Sequence, residues 1–437
     1  MEPKKVLIIC YDYVPIESPH AFRWSAISEK WVENGHEVHI LSICKPGLKP
    51  LEIIKGVTVH RVSGGFIEKL RKHASVKVSS AQGRDRNEAK RRKFSSEKWI
   101  ASALKLLHDH TWKKLYWPDY ACLWYFPAYR KVKQLYDQYA YDFVISVSHP
   151  YTCHMVANRL KTKKPEIVWL VDVGDPFCIL KDTPTNNRLL YNDLNYRHEY
   201  KVFKNADAVS VTPEAEPVYR KVFPEGDINM NVIPPMLTIH KMPEPQKIFD
   251  ADGKIRFVFI GTLYRKIRNP DFLLRLFLRM LNTPFGEQLE LHFFGNVQDC
   301  EDSFKPYEYL FHSQLFLHGI VDHRIALNAM HEANVLVNIS NKTPLQLPSK
   351  VVEYASTGNR VLNIVEIDND NSELFFNRYP GAITVHASEV IRVEEAAQLL
   401  EELMKLDKID GEQLSSWMEP YQLDSISNQF FRILSHG

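Results

Sequence analysis

The chain has 437 residues, 45% of them hydrophobic and 25% charged, and a formal net charge of +2. That length holds two or three domains with substantial cores. The near balance of charge excludes a global attraction to nucleic acid or acidic membrane, so any such contact has to be local.

Lys5 to Cys10 (KVLIIC) is a continuous apolar run closed by Tyr11-Asp12-Tyr13, the pattern of a strand buried on both faces of a parallel sheet. The start Met1-Glu2-Pro3-Lys4-Lys5 leads straight into that strand and has no signal-peptide core. No apolar run reaches the roughly 18 residues of a membrane span, so a cytoplasmic protein is expected. A helix is predicted over 20–34, with Trp24, Ile27 and Trp31 on one stripe and Asn34-Gly35 as its stop. Strands follow at Val38–Ser42 and Val57–Val62, a doubly wound opening. The loop after the first strand lacks GxGxxG, which argues against a dinucleotide site there.

Between about 66 and 122 the periodicity lapses. From Lys69 to Lys114 fourteen Lys or Arg face only Asp85, Glu88, Glu97 and Asp109, interleaved with Phe94, Trp99, Leu104, Leu106, Leu107 and Trp112. Such a stretch suits either an anionic lipid surface, at about 1 kcal/mol per cation, or a solvated insertion. No recognised module surrounds the charges, so no nucleic-acid partner is expected. The six cysteines, at 10, 44, 122, 153, 178 and 300, form no CxxC, and neither a zinc knuckle nor a disulfide framework is indicated.

Alternation then resumes with helix 127–138, strand 142–147, helix 151–161, strand 167–171, helix 187–204, strand 208–211, helix 214–222 and strand 231–233. Pro234-Pro235 opens a break, and 236–253 reads as a linker rich in Pro, Lys and Asp. A second series runs through strand 255–260, helix 269–282, strand 288–294, helix 303–311, strand 315–317, helix 323–332, strand 334–339, helix 349–357 and strands 360–364 and 382–385. Helices near 392–405 and 422–435 end the chain, the last with Ile426, Phe430, Phe431 and Leu434 as a packing stripe. The expected fold is α/β, with two Rossmann-like domains facing across a cleft. Residues 1–235 form the first, 254–420 the second, and 421–437 a helix packing back toward the first. Such domains bind ligands beyond the carboxyl ends of their strands.

Helix 349–357 carries the clearest chemistry. Ser349 after Pro348 reads as an N-cap and Gly358 as a left-handed stop. The first turn then offers the amides of Lys350, Val351 and Val352, with the positive helix end, to an anion such as phosphate. Glu353, one turn on, can accept from a diol, and together they describe a nucleoside diphosphate. An ordinary solvated first turn is the competing reading.

Six segments in order resemble the large retaining family four of GT-B glycosyltransferases, over nearly the whole chain. They are Asn34-Gly35-His36-Glu37-Val38, Ser146-Val147-Ser148-His149-Pro150, Asp172-Val173-Gly174-Asp175-Pro176-Phe177, Asn205-Ala206-Asp207-Ala208-Val209, Phe259-Ile260-Gly261-Thr262-Leu263-Tyr264 and Pro348-Ser349-Lys350 through Glu353-Tyr354. The resemblance implies that Glu353 binds the donor ribose, that Ser349 and Lys350 hold the distal phosphate, and that Gly261 and Thr262 open the donor loop. Arg265, Lys266 and Arg268 in that loop would neutralise the diphosphate leaving group, with Arg265 and Lys266 as the catalytic cations, and Ile320 would hold the nucleobase through its backbone. His149 and Asp175 become catalytic candidates, and His20 and Arg23 acceptor-binding ones. No metal or other cofactor is implied.

Two departures from the family stand out. The position eight before Glu353 is Leu345 where a glutamate is usual, and the glycine-rich turn after the first strand is replaced by Pro15-Ile16-Glu17-Ser18-Pro19-His20. The expected activity is transfer of a hexosyl unit, with retention, from a nucleotide-diphosphate sugar to a hydroxyl of a lipid-linked or growing cell-surface polysaccharide. The basic stretch would place the protein at the inner face of the membrane. The alternatives are a nucleotide-sugar epimerase and a non-catalytic GT-B subunit.

Overall fold

The computed structural model describes residues 2–64, 115–181, 184–224, 226, 228–237, 245–342, 345, 347–387 and 392–436. The basic stretch lies outside them as far as residue 114. The chain divides into two compact units, Met1–Ile233 with Ser427–Gly437, and Pro234–Ile426.

The first unit is built on eight strands in the order β3-β4-β2-β1-β5-β6-β7-β8. They are β1 (Lys5–Ile9), β2 (Glu37–Ile43), β3 (Leu51–Ile54), β4 (Val57–Val62), β5 (Phe143–Ser148), β6 (Val168–Val173), β7 (Ala208–Val211) and β8 (Met230–Val232). Val6 through Ile9 have no exposed surface, as a central strand covered on both faces requires. All pairings are parallel except β3 with β4. That hairpin was not anticipated. Its strand β3 alternates exposed and half-buried residues, and it turns through Lys55 and Gly56, both at positive φ, so a four-residue edge strand left little pattern to read.

The helix Pro19–Glu33 is capped by Ser18, whose side chain accepts from the Ala21 amide. It buries Trp24 and Trp31. Residues from Ser427 onward belong to this unit, and their aromatic rings explain why. Phe430 lies 4.9 Å from Trp24, Phe431 lies 5.8 Å from both Trp31 and Phe143, and Phe431 stacks on His36 at 4.4 Å. Burying each such ring contributes about 1.5–3 kcal/mol.

The second unit has six parallel strands, β9 (Ile255–Ile260), β10 (Leu289–Phe294), β11 (Leu315–Gly319), β12 (Val335–Ile339), β13 (Arg360–Val365) and β14 (Ala382–His386), in the order β11-β10-β9-β12-β13-β14. The order reverses between β9 and β12, and between β1 and β5 in the first unit. Ligands of open parallel sheets sit at such reversals.

Several local expectations change. The predicted helix 303–311 is a short α-turn Glu301–Phe304 followed by 3-10 turns Lys305–Leu310, because Pro306 interrupts it. Helices Asn371–Phe376 and Gly411–Met418 were not anticipated. The latter part of the predicted linker is pinned to the second unit: the Gln246 amide bonds the Asn328 side chain, and the Ile248 and Phe249 amides bond Glu332.

Candidate functional site

Beside the reversal in the second sheet, the loops after β11, β10 and β9 leave neighbouring strands side by side. The Gly261 amide donates to the Phe294 carbonyl at 2.9 Å, the Leu263 amide to Asn296 at 2.9 Å and the Gly295 amide to the Gly319 carbonyl at 2.7 Å. A side chain at Gly295 would put its Cβ 2.0 Å from the Gly261 carbonyl oxygen, so the close approach of β9 and β10 demands glycine. Across the reversal the Lys342 amide bonds the Ile267 carbonyl at 3.3 Å.

The three cations of the loop after β9 are placed very differently. Arg265 turns to Asp302, its Nη2 3.0 Å from the carboxylate, while its Nε donates to the Asp299 carbonyl and its amide to the Asp299 side chain. Lys266 is exposed. Arg268 folds over the sheet edge, donating from Nη2 to the Asn341 side-chain oxygen at 2.8 Å and from Nη1 to the Thr262 carbonyl at 3.4 Å. Its Nε is buried with no hydrogen-bond partner, and burial pulls the guanidinium below its usual range. Arg268 therefore holds a desolvated positive charge at the strand reversal, whereas Arg265 is already neutralised.

The helix Ser349–Ser356 follows β12. Its N-cap is Pro348, not Ser349, and no side chain caps it; Ser349 is already helical because Pro348, at ψ 135°, supplies the extended cap. The Val351 amide bonds the Pro348 carbonyl at 3.0 Å, so that amide of the expected anion site is occupied. Glu353 is buried and forms a salt bridge with Lys350 one turn earlier. Tyr354 is also buried, and its hydroxyl accepts from the Ile260 amide at 2.9 Å, tying this helix to the end of β9. Tyr354 feels the charges of both Arg268 and Glu353, so these residues share one neighbourhood. Ile320 is 82% exposed just beyond β11. Leu345 is 7% exposed, packed as an apolar residue where the resembling family has a carboxylate.

In the first unit the carboxyl edge gathers a second cluster. His20 Nε2 lies 3.1 Å from Asp175 Oδ2, and the His149 amide lies 3.4 Å from the same nitrogen. The Ser148 hydroxyl bonds the Asp175 carbonyl at 3.1 Å. A Cβ at Gly174 would fall 2.4 Å from the His20 ring, so glycine there lets the imidazole reach Asp175. His149 packs against Tyr120, ring centroids 5.2 Å apart; burial lowers its pKa, opposed by the charges of Asp119 and Asp175.

Asp119, which the sequence did not single out, is fully buried and accepts from the Ala121 amide at 2.8 Å, the Thr152 amide at 2.9 Å and the Thr152 hydroxyl at 2.7 Å. Burial raises its pKa against those bonds. Arg23, one turn from His20 on the same helix, has its guanidinium 5.2 Å from the centroid of the Phe430 ring.

No protein-family model and no curated protein sequence matches the chain. Solved structures do. The chain is similar to the sucrose-phosphate synthase of Thermosynechococcus elongatus, with TM-score 0.64, 13% identity and coverage of 99% of this chain and 98% of that one. It is also similar to a glycosyltransferase from Rickettsia africae, with TM-score 0.59, 11% identity and coverage of 100% and 99%. A third is an α,α-trehalose-phosphate synthase (UDP-forming) from Burkholderia xenovorans in complex with glucose-6-phosphate, with TM-score 0.60, 10% identity and coverage of 98% and 100%. The chain thus has the GT-B fold, and these structural neighbours are glycosyltransferases.

Proposed function

We propose that the protein is a retaining glycosyltransferase whose second unit binds a nucleotide-diphosphate sugar at the β9/β12 reversal. The observation that carries this reading is Arg268, a desolvated cation held by Asn341 at that edge, beside the glycine loops and the Ser349–Ser356 helix. Cleavage of the sugar–phosphate bond adds negative charge to the departing diphosphate. A cation fixed beforehand stabilises that charge more than the ground state. Arg268 takes this role. Lys266 is free to approach the same group, and Arg265 is assigned to holding the loop to Asp302. Glu353 accepts from the ribose hydroxyls and Lys350 keeps its carboxylate in place. The Ile320 backbone borders the base.

On the acceptor side we assign His149, His20 and Asp175 in the first unit, with residues 1–235 as the acceptor domain and 254–420 as the donor domain. The sugar's anomeric carbon loses its bond to the diphosphate oxygen and gains one to the acceptor oxygen on the same face, and the acceptor's proton passes to the departing phosphate. The acceptor we propose is a hydroxyl of a lipid-linked or growing polysaccharide, with the basic stretch 66–122 resting on an anionic membrane face. A sugar-phosphate acceptor is the second reading, supported by the glucose-6-phosphate complex of the Burkholderia xenovorans neighbour. Release of nucleoside diphosphate on adding envelope glycolipid, against release on adding glucose-6-phosphate, decides between them. Release with neither, together with interconversion of the donor alone, would favour an epimerase.

A further inference from the structure

Polar side chains form an unbroken relay across the first three strands of the second sheet. Arg256 on β9 donates from Nε to Glu290 Oε2 on β10 at 2.9 Å. His292, two residues further along β10, has Nε2 3.1 Å from the same oxygen, and its Nδ1 lies 3.0 Å from His318 Nε2 on β11. Arg256, Glu290 and His292 are buried, while His318 is exposed on the edge strand. The His318 ring stacks on Phe294 at 4.0 Å with the planes 5° apart.

The protons in this relay follow from its first member. A guanidinium has only donors, so the Glu290 oxygen it meets is an acceptor, and the hydrogen between Glu290 and His292 sits on His292 Nε2. Burial holds His292 down to about 3, so its ring is neutral and its Nδ1 is a lone pair. His318 Nε2 must then donate. Packing on Phe294 removes part of its water and lowers His318 as well, which leaves the neutral ring with a bare Nδ1. Three hydrogen bonds thus select the tautomer of an exposed imidazole.

His318 stands at the carboxyl end of β11, directly before Gly319 and Ile320. The Gly319 carbonyl accepts from the Gly295 amide and the Phe294 carbonyl from the Gly261 amide, so β10 joins this end to the Gly261 loop two strand spacings away, about 10 Å, a span that a nucleoside diphosphate covers. We propose, resting on the donor site assigned above, that His318 reads the nucleobase, its Nδ1 lone pair accepting the ring N–H of uracil, thymine or guanine. Adenine N1 and cytosine N3 present lone pairs at the same ring position, so they meet His318 lone pair to lone pair. A site built to pair one ring N–H discriminates strongly against a base that lacks it.

Two measurements test this. Nitrogen-15 NMR of the unliganded wild-type protein at neutral pH is expected to show His318 protonated at Nε2 and bare at Nδ1; the opposite tautomer overturns the assignment. Calorimetric titration with uridine, guanosine, adenosine and cytidine diphosphates is expected to show uridine or guanosine diphosphate binding at least about tenfold tighter than the other two. His318→Phe keeps the stack on Phe294 and is expected to bring all four within about twofold of one another. No preference in the wild type, or the same preference in the variant, overturns the role of His318 and leaves the donor site standing. Failure of all four to bind the wild type overturns the donor site, and the role of His318 with it.

Discussion

Arg268 spans the strand reversal of the second sheet, its Nη2 2.8 Å from the Asn341 side-chain oxygen. Arg265, three residues earlier in the same loop, is held instead by Asp302 at 3.0 Å. Two guanidiniums that look equivalent in sequence therefore have different work. Arg268→Ala is expected to lower kcat by about 100- to 1000-fold, the range for removing a preorganised donor to a developing charge. Arg265→Ala is expected to stay within about threefold, since its charge is already paired with Asp302 on the exposed side of the loop. Steady-state kinetics on both variants, with melting curves to confirm folding, check this.

Asp119 and His149 make a second pair that can be tested. The Asp119 charge opposes the lowering of the His149 pKa by burial. Asp119→Asn removes that charge while keeping an oxygen for the Thr152 hydroxyl and the Ala121 amide, at the loss of the bond from the Thr152 amide. The His149 pKa is expected to fall further, and NMR titration of its ring proton reads the change. An unchanged or raised value would contradict the electrostatic link.

His154 sets an acid limit on stability. It is fully buried against the Ser146 hydroxyl at 2.8 Å, and burial lowers its pKa to about 3 from 6.5. Between those values the unfolded chain binds the proton and the folded chain does not, so stability rises with pH through that window and is fully present above 6.5. Denaturant midpoints should therefore fall as pH is lowered from 6.5 toward 4. His154→Phe should flatten part of that slope.

Phe431 anchors the end of the chain in the first unit, between Trp31, His36 and Phe143. Phe431→Ala is expected to cost about 3–5 kcal/mol. Urea titration followed by tryptophan fluorescence gives the value.

The strands were the most legible part of the chain, because runs such as KVLIIC and IRFVFI are buried on both faces and leave no polar alternation to confuse the reading. Helix His323–Glu332 was found to the residue for a similar local reason: Asp322 caps the Arg324 amide. Ser349 misled for a local reason too, since side-chain preference points to serine as the cap while the extended backbone of Pro348 already fills the position. Partners distant in sequence were invisible. Asp299 and Asp302 lie 34 and 37 residues from Arg265, and Asn341 lies 73 from Arg268, so nothing in the spacing of the loop says which cation is neutralised. Asp119 was passed over because it sits in an aperiodic stretch and reaches Thr152 only through the fold, 33 residues on.

The most direct measurement is calorimetric titration of wild type and Arg268→Ala with uridine and guanosine diphosphates at low salt. A diphosphate seated at the β9/β12 edge should bind the wild type and lose about 30-fold or more in affinity with the alanine variant, as truncating one partner of a desolvated charge pair costs about 2–5 kcal/mol. Equal affinity in two folded proteins would place the diphosphate elsewhere and contradict the role given to Arg268.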